Sequence, residues 1–199
     1  MLIDKTGRVI KDEEYLLLAE LIAIKGYNAE NLVFPHTFPR AAEKIAEFNG
    51  ARIFRTSSST AEIMRKMVEL QSPSVQFVLN HNSIWTLGYL LEYMNRENIG
   101  VAELMDEIPE YYYLKKEISC DWKDKGRIIR EIAFGSNLED IELIEGVKIN
   151  DSRGWALLLP DGEKPLFNIY TEGYTEEMAR ELSADLSEKI AELLKNQRG

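Results

Sequence analysis

The sequence predicts an α/β domain followed by a smaller α+β domain. In the first half, short apolar runs alternate with amphipathic runs of helical period, which is typical of α/β folds. In the second half, several runs of strand character follow one another before one long amphipathic stretch, which favours an antiparallel sheet covered by helices. Pro109 discourages continuation of the helix before it, so we place the domain boundary there, giving domains at 1–109 and 110–199.

The first half begins with a tight turn at Lys5-Thr6-Gly7 and then alternates helices with strands. Gly26 predicts the end of the first helix, and Thr37 is predicted to cap the second. Ser59 with Glu62 has the spacing of a capping box. The predicted elements are a hairpin within 2–10, a helix from Asp12, a strand at 31–34, a helix at 40–48, a strand at 52–55, a helix from Thr60, and helices at 84–94 and 101–108.

The second half alternates less and is richer in strand patterns. Gly135 predicts the end of a helix, and Thr175 is predicted to cap the last helix, whose apolar residues recur at helical spacing. The predicted elements are a strand at 111–119, a helix at 125–134, strands at 141–144, 147–150, 155–159 and 166–171, and the final helix after Thr175.

A short loop between the last two predicted strands is the main candidate for function. It begins at Pro160 and ends at Pro165, and the pair Asp161-Gly162 between them suits a turn. Because proline fixes its backbone φ angle and has no N–H, two prolines make this loop stiff. A stiff loop exposed at the end of a sheet is a frequent place for binding residues.

Composition and charge exclude several classes of function. The 199 residues include 45% hydrophobic and 29% charged residues, which is ordinary for a globular protein with a core. A net charge of -10 argues against nucleic acid or an anionic membrane as a partner, since both require a basic surface. The single Cys120 excludes an internal disulfide and is expected to be buried, and two isolated histidines predict no metal site. The polar N-terminal stretch has no signal-peptide pattern, so we expect a cytoplasmic protein.

The order of strand, Pro-x-Gly-x-x-Pro loop, strand and helix resembles the last domain of the phosphohexomutases, the family of phosphomannomutase and phosphoglucomutase. In that family the loop reads Arg-Pro-Ser-Gly-Thr-Glu-Pro and grips the phosphate of the substrate. Here Leu159, Asp161 and Glu163 stand where the family has Arg, Ser and Thr. Two carboxylates repel a phosphate, and only Lys164 has a favourable charge. The resemblance implies the fold but also implies a weakened phosphate site at Asp161, Gly162, Glu163 and Lys164.

The first half is similar to the third domain of the same family. The run from Asn31 to Thr56 follows the family's order of strand, helix, glycine turn and strand ending in Arg-Thr. In active mutases Lys-x-Gly follows this threonine and faces the active site, whereas serines follow Thr56 here. The resemblance therefore implies that Thr56, Ser57 and Ser58 are the substrate-binding residues that remain.

Two further family features are altered or missing. The family's sugar-recognition loop, Gly-Glu-x-Ser-Gly-His, should lie shortly before the helix predicted at 84–94, and only His81 resembles it. The family binds Mg²⁺ through an Asp-x-Asp-x-Asp loop that has no counterpart in this sequence, nor has the phosphorylated serine. We therefore expect no cofactor, no metal site and no catalytic residue in this chain.

Three separated segments look most like the mutase-like C-terminal region of bacterial fusion proteins that begin with a sugar nucleotidyltransferase, a mannose-1-phosphate guanylyltransferase. They are Cys120 to Arg127, Gly146 to Lys148 and Gly154 to Asp161. On this interpretation the chain is an excised C-terminal fragment. Its expected role is structural, regulatory or weakly sugar-phosphate-binding, with upstream domains of the parent protein, a sugar phosphate or a second copy of the chain as candidate partners.

Each candidate residue also has a simpler interpretation. The serines after Thr56 can cap a helix instead of binding an anion. Asp161 and Glu163 can form an acid/base pair, but exposed carboxylates usually only solvate a turn. His81 can satisfy its own hydrogen bonds within a loop. Two other functions remain open: the chain is the substrate-recognition half of an active phosphohexomutase, or it is an independent module for an unrelated small ligand.

Overall fold

The computed structural model describes residues 2–72, 74–135 and 141–195. The chain divides into two units, Met1–Glu110 and Tyr111–Gly199. Within the described residues, no helix has both the length and the apolar character needed to cross a membrane.

The first unit is built mainly from helices around two short sheets. Its elements are β1 (Leu2–Ile3), β2 (Val9–Ile10), α1 (Asp12–Tyr27), β3 (Asn31–Pro35), α2 (Ala41–Phe48), β4 (Arg52–Thr56), α3 (Thr60–Glu69), α4 (Ser74–His81), α5 (Ser83–Glu97) and α6 (Val101–Met105). Strands β1 and β2 form an antiparallel hairpin, while β3 and β4 pair in parallel with Asn31 opposite Arg52. The predicted strands and helices occur in the predicted order, with one addition, helix α4, which was not predicted. Helix α1 is buried from Leu17 to Ile24.

Several predicted boundaries of the first unit are wrong. Helix α1 passes through Gly26 and ends at Tyr27, with Asn28 as its C-cap at a φ angle of 53°. Gly26 is needed for packing instead, because a Cβ atom there would lie 2.9 Å from the ring of Tyr93. Arg40, not Thr37, precedes the first residue of α2. Ser59 does occupy the N-cap position of α3, but its side chain makes no capping hydrogen bond, so the predicted capping box is absent.

The second unit is a five-stranded antiparallel sheet with two helices packed on it. Its elements are β5 (Tyr112–Ser119), α7 (Trp122–Phe134), β6 (Ile141–Leu143), β7 (Val147–Asp151), β8 (Gly154–Pro160), β9 (Leu166–Gly173) and α8 (Glu176–Lys195). The strand order is β5-β9-β8-β7-β6. The core lies between the sheet and both helices, and its central residues include Ile128, Leu158, Phe167 and Ile190.

The strand predictions in the second unit are confirmed to within two residues at each end. Thr175 caps α8 as predicted, since its hydroxyl accepts a hydrogen bond from the backbone N–H of Met178 at 3.2 Å. Helix α7 begins at Trp122, three residues earlier than predicted. That extra turn is important for the loop described next, because it places Lys125 inside the helix.

Candidate functional site

The loop from Pro160 to Pro165 connects β8 to β9 at one end of the five-stranded sheet. The two strands remain paired up to Pro160 opposite Phe167. Within the loop, the N–H of Asp161 donates to the carbonyl of Leu166 at 3.1 Å, and the N–H of Leu166 donates to the carbonyl of Lys164 at 2.8 Å. The loop therefore has a defined, closed conformation.

The carboxylate of Asp161 organises the inside of this loop. One oxygen, Oδ1, accepts hydrogen bonds from the backbone N–H groups of Glu163 and Lys164, each at 2.8 Å. The other oxygen, Oδ2, accepts from the amide of Asn168 at 3.2 Å. The backbone hydrogen bond from Glu163, followed by that from Lys164, lowers the pKa of Asp161 from its ordinary value. The carboxylate of Asp161 is therefore the anion that these two backbone N–H groups bind.

Backbone N–H groups that converge in a turn form a site for an external anion in many proteins. In this loop the Asp161 carboxylate already accepts those donors. A phosphate could reach them only if the carboxylate were displaced. Gly162 lies at the exposed tip of the loop, and a Cβ atom there would meet nothing within 4 Å. The turn therefore depends on Asp161 more than on Gly162.

A buried lysine of α7 fixes the loop by donating hydrogen bonds to its backbone carbonyls. The ammonium of Lys125 donates to the carbonyl of Asp161 at 2.6 Å and to the carbonyl of Lys164 at 2.5 Å. Its Nζ atom also lies 3.8 Å from the ring centre of Trp122. The side chain is only 7% exposed. In addition, the N–H of Cys120 donates to the carbonyl of Pro165 at 2.9 Å. Sequence reasoning missed both Lys125 and Trp122.

The remaining loop side chains point away from this network. Glu163 and Lys164 are exposed, and in the part of the chain that the structure describes neither side chain takes part in a hydrogen bond or an ion pair. A cavity of about 610 Å³ borders Pro165, and its charged lining residues are Asp121, Lys123 and Asp124. Two of these three charged lining residues are acidic, which disfavours a phosphate dianion in this cavity.

The second candidate group, Thr56 to Ser58, follows β4 in the first unit. Thr56 is the last residue of β4, and its carbonyl accepts from the N–H of His36 at 2.9 Å. Ser57 is half-buried and Ser58 is exposed. These three residues and the Pro160–Pro165 loop lie in different units.

The guanidinium of Arg55, which precedes Thr56, is engaged in hydrogen bonds within the protein. Arg55 donates to both carboxylate oxygens of Glu43, at 2.7 and 2.6 Å. It also donates to the carbonyls of Pro35, Phe38 and Pro39 at 2.7 to 3.0 Å. Arg55 therefore fixes the segment before α2, and its charge is balanced by Glu43 rather than being offered to a ligand.

His81 is the last residue of α4, and its ring lies 4.6 Å from that of Phe77. The segment compared with a sugar-recognition loop is therefore helical, and that comparison is wrong for its backbone. His81 borders a cavity of about 450 Å³, and the other ionisable carboxylate or amine among the described residues that line it is Asp12. The carboxylate of Asp12 disfavours a phosphate group there.

Two solved structures share this fold. A phosphoglucomutase/phosphomannomutase family protein from Burkholderia thailandensis superposes with a TM-score of 0.74 at 14% identity, over 96% of this chain and 43% of its own. A putative phosphomannomutase from Thermus thermophilus superposes with a TM-score of 0.63 at 15% identity, over 92% of this chain and 41% of its own. The fold is that of part of a phosphohexomutase. At these identities the comparison establishes the fold alone.

The relatives found by sequence are mutases of the same family. A phosphoglucomutase/phosphomannomutase of Thermococcus kodakarensis is 27% identical over 97% of this chain and 45% of its own length. A probable phosphoglucosamine mutase of Pyrococcus horikoshii is 26% identical over 88% of this chain and 42% of its own length. These relatives support a phosphohexomutase C-terminal region. The chain spans less than half the length of these curated relatives, and no protein-family model matches it.

The chain shares the fold of these phosphohexomutase structures. Among the described residues, no group of three or more His, Cys, Asp or Glu side chains could hold a metal ion. Cys120 is buried as predicted, and burial raises the pKa of its thiol. A buried thiol of raised pKa is a poor nucleophile. In the Pro160–Pro165 loop the backbone donors of residues 163 and 164 are occupied by the Asp161 carboxylate, and beside Thr56 the guanidinium of Arg55 is occupied by Glu43.

Proposed function

We propose that the chain is the mutase-like, non-catalytic C-terminal region of a sugar nucleotidyltransferase fusion of the mannose-1-phosphate guanylyltransferase kind. The observation that carries the non-catalytic role is the pair of 2.8 Å hydrogen bonds from the Glu163 and Lys164 amides to the Asp161 carboxylate. These bonds fill the anion position of the loop. The region then has no catalytic role and serves as a structural or regulatory part of a longer polypeptide in carbohydrate metabolism.

The three segments that resemble the fusion proteins have structural roles here, which supports this proposal. Lys125, in the first segment, holds the loop. Gly146, in the second, is required because a Cβ atom would lie 2.1 Å from the carbonyl oxygen of Leu158. Gly154, in the third, has a φ angle of 147°, and a Cβ atom would lie 1.9 Å from the carbonyl oxygen of Glu172. The resemblance is therefore carried by residues that build the sheet and its loop.

One observation favours a second candidate function, the substrate-recognition half of an active phosphohexomutase. Lys164 is exposed at the loop, and its ammonium makes no ion pair with any described residue. A lysine in that position can attract a phosphate as a point charge. On this alternative, Lys164 would bind the substrate despite the acidic neighbours.

Calorimetric titration with mannose 1-phosphate and glucose 1-phosphate at low millimolar concentration distinguishes the two functions. We expect no saturable heat from the wild-type chain. Asp161→Ala should create phosphate binding, because it frees the amides of residues 163 and 164. Asp161→Asn should not, since its amide oxygen still accepts those donors. Glu163→Gln is the charge control, because it removes one nearby carboxylate and leaves the amides occupied.

Saturable binding by the wild-type chain that disappears in Lys164→Ala would overturn the non-catalytic role and establish the alternative. Equal binding by Asp161→Asn and Asp161→Ala would show that charge, rather than occupation of the amides, closes the loop. The fusion is tested separately, by immunoprecipitation with an antibody against this chain. A polypeptide of only 22.9 kDa without guanylyltransferase activity would contradict that part of the proposal.

A further inference from the structure

A buried carboxylate at the start of α7 makes no hydrogen bond with any described residue. The side chain of Asp124 is only 5% exposed, and it forms an ion pair with Arg127, whose Nη2 atom lies 3.6 Å from Oδ1. That separation is too long for a hydrogen bond. The Nε atom of Arg127 is also buried without a partner among the described residues. Because buried polar groups are nearly always hydrogen-bonded, two unused groups side by side indicate a binding function.

Asp124 faces a cavity between the start of α7, the end of β5 and the last turns of α8. The volume of about 610 Å³ lies within the range of small-molecule sites. Ser119, Pro165 and Leu194 line the cavity together with the charged side chains. The N–H of Cys120 donates to the carbonyl of Pro165 at 2.9 Å, which fixes the wall beside the loop. The cavity is therefore largely preformed.

The charges at the cavity do not favour an ionic ligand. Asp121 and Asp124 both line it, and their carboxylates repel an anion such as a phosphate. The charge of Asp124 is balanced by Arg127, and Lys123 lines the cavity beside Asp121. Two acidic and two basic side chains leave no net charge to attract a cation. What remains unused is the capacity to form hydrogen bonds.

A neutral ring that carries several hydroxyl groups matches this capacity. Two adjacent hydroxyls can each donate a hydrogen bond to one oxygen of the Asp124 carboxylate, since an ionised carboxylate only accepts. The hydroxyl of Ser119 and the ammonium of Lys123 can then bond to other hydroxyls of the ring. Pro165 and Leu194 supply apolar surface for the C–H groups of the ring.

We propose that this cavity binds the ring of a neutral sugar, with the carboxylate of Asp124 accepting hydrogen bonds from two of its hydroxyl groups. The site borders the Pro160–Pro165 loop but uses neither of the amides that Asp161 occupies. The proposal therefore does not depend on the non-catalytic role, on the parent protein or on phosphate binding.

Titration of the isotope-labelled chain with D-mannose and with methyl α-D-mannopyranoside, followed by the amide signals in NMR spectra, tests the site. We expect saturable shifts at residues 119–124 and 166, and saturation by either sugar supports the site. The two probes distinguish a free sugar from the end of a glycan, because the glycoside carries a substituent at its anomeric oxygen. Glycerol has hydroxyls but no ring, and mannose 1-phosphate adds a dianion, so each should bind at least about tenfold more weakly than mannose.

Three variants locate the binding. Asp124→Asn should weaken it at least about tenfold, because a neutral amide replaces the charged acceptor. Ser119→Phe should abolish it while leaving Asp124 in place, because an aromatic side chain in the cavity wall fills the space that the ring needs. Glu131→Gln, the same replacement of a carboxylate by an amide at an exposed position of α7, should leave the binding unchanged.

The absence of saturable shifts with both sugars would overturn the proposal. Binding that is as tight in Asp124→Asn and in Ser119→Phe as in the wild type would also overturn it, because the sugar would then bind elsewhere. Tighter binding of mannose 1-phosphate than of mannose would contradict a site for a neutral ligand. Circular dichroism of each variant confirms that it is folded.

Discussion

Glu20 and Lys125 are both buried ionisable side chains on helices, one in each unit, but they differ in their hydrogen-bond partners. Lys125 is 7% exposed and has two carbonyl acceptors and an aromatic ring around its ammonium. Glu20 is 1% exposed, and neither of its carboxyl oxygens has a hydrogen-bond partner among the described residues. Burial alone therefore does not reveal what a charged group contributes.

The difference lies in what surrounds each group. The ammonium of Lys125 replaces its lost water with two loop carbonyls, so its burial fixes the Pro160–Pro165 loop. The nearby cation for Glu20 is Arg55, which already binds Glu43 and three carbonyls. Burial, followed by repulsion from Glu43, raises the pKa of Glu20 well above its ordinary value. Glu20 therefore costs stability whenever it is ionised.

Lys125→Met should give the largest effect on stability. It removes two charge-assisted hydrogen bonds and leaves the carbonyl of Asp161 without this donor, while the carbonyl of Lys164 keeps only the N–H of Leu166, so we expect a loss of about 2–4 kcal/mol. Urea denaturation followed by tryptophan fluorescence, in a Trp85→Phe background, reports on the second unit, which contains the other two tryptophans, Trp122 and Trp155. Amide exchange at residues 163–166 should also accelerate, because the loop is no longer held from α7.

Lys123→Met is the control for this prediction. Lys123 precedes Lys125 by two residues on the same helix but is exposed. Its replacement should change the free energy of unfolding by less than about 0.5 kcal/mol. Equal effects of the two substitutions would show that the contacts of Lys125 with the loop do not stabilise the unit.

Glu20→Met should have the opposite sign and a smaller size. An apolar side chain of similar length removes a buried group without partners, and we expect a gain of about 1–3 kcal/mol at neutral pH. Because the folded-state pKa is raised above 4.5, the wild type is most stable below that value and loses stability as the pH rises through the folded pKa. The variant should lack this decline. Amide exchange in α1, measured across this pH range, follows the effect within the first unit.

Glu47→Met, on the neighbouring helix α2, serves as the exposed control. It should leave both the stability and its pH dependence nearly unchanged. If Glu20→Met destabilised the unit at neutral pH, the carboxylate would be making a favourable interaction, and the contrast with Lys125 would fail.

Local patterns were sufficient for much of the fold. The strands of the second unit follow from alternating side chains, and the Thr175 cap follows from a hydroxyl residue at the start of an apolar stripe. The segment 74–81 was missed as a helix because a resemblance to a loop guided its interpretation. The continuation of α1 through Gly26 could not be predicted from local sequence. The glycine is required there by the close approach of the ring of Tyr93, which lies far away in the sequence.

The candidate site was predictable only in part. Asp161-Gly162 between two prolines indicated a rigid turn, and the structure has one. Lys125 gave no signal, because a lysine in an amphipathic helix normally faces water. Its acceptors lie 36 and 39 residues further along the chain. Such long-range contacts depend on tertiary packing, which local sequence patterns do not encode.

A third charged group, Arg153, extends the comparison to a partly exposed pair, where the smallest effect is expected. Its guanidinium donates to both oxygens of Asp151 at 3.0 Å, which lowers the pKa of Asp151 to about 2. Since this value is below the ordinary 3.8, the pair stabilises the second unit above pH 4, and the contribution is lost as the pH falls towards 2. Because solvent screens the pair, Asp151→Asn should cost only about 1 kcal/mol at neutral pH.

The difference between Asp151→Asn and the wild type should vanish near pH 2, as followed by urea denaturation with tryptophan fluorescence in the Trp85→Phe background. Asp185→Asn is the matched control, because Asp185 accepts from the same Arg153 at 2.8 Å but is 60% exposed. It should cost less than half as much. A constant difference between Asp151→Asn and the wild type across this pH range would mean that the hydrogen-bonding shape of Asp151, and not its charge, stabilises the β7–β8 turn. The partly exposed pair would then resemble neither Lys125, which is held by its partners, nor Glu20, which has none among the described residues.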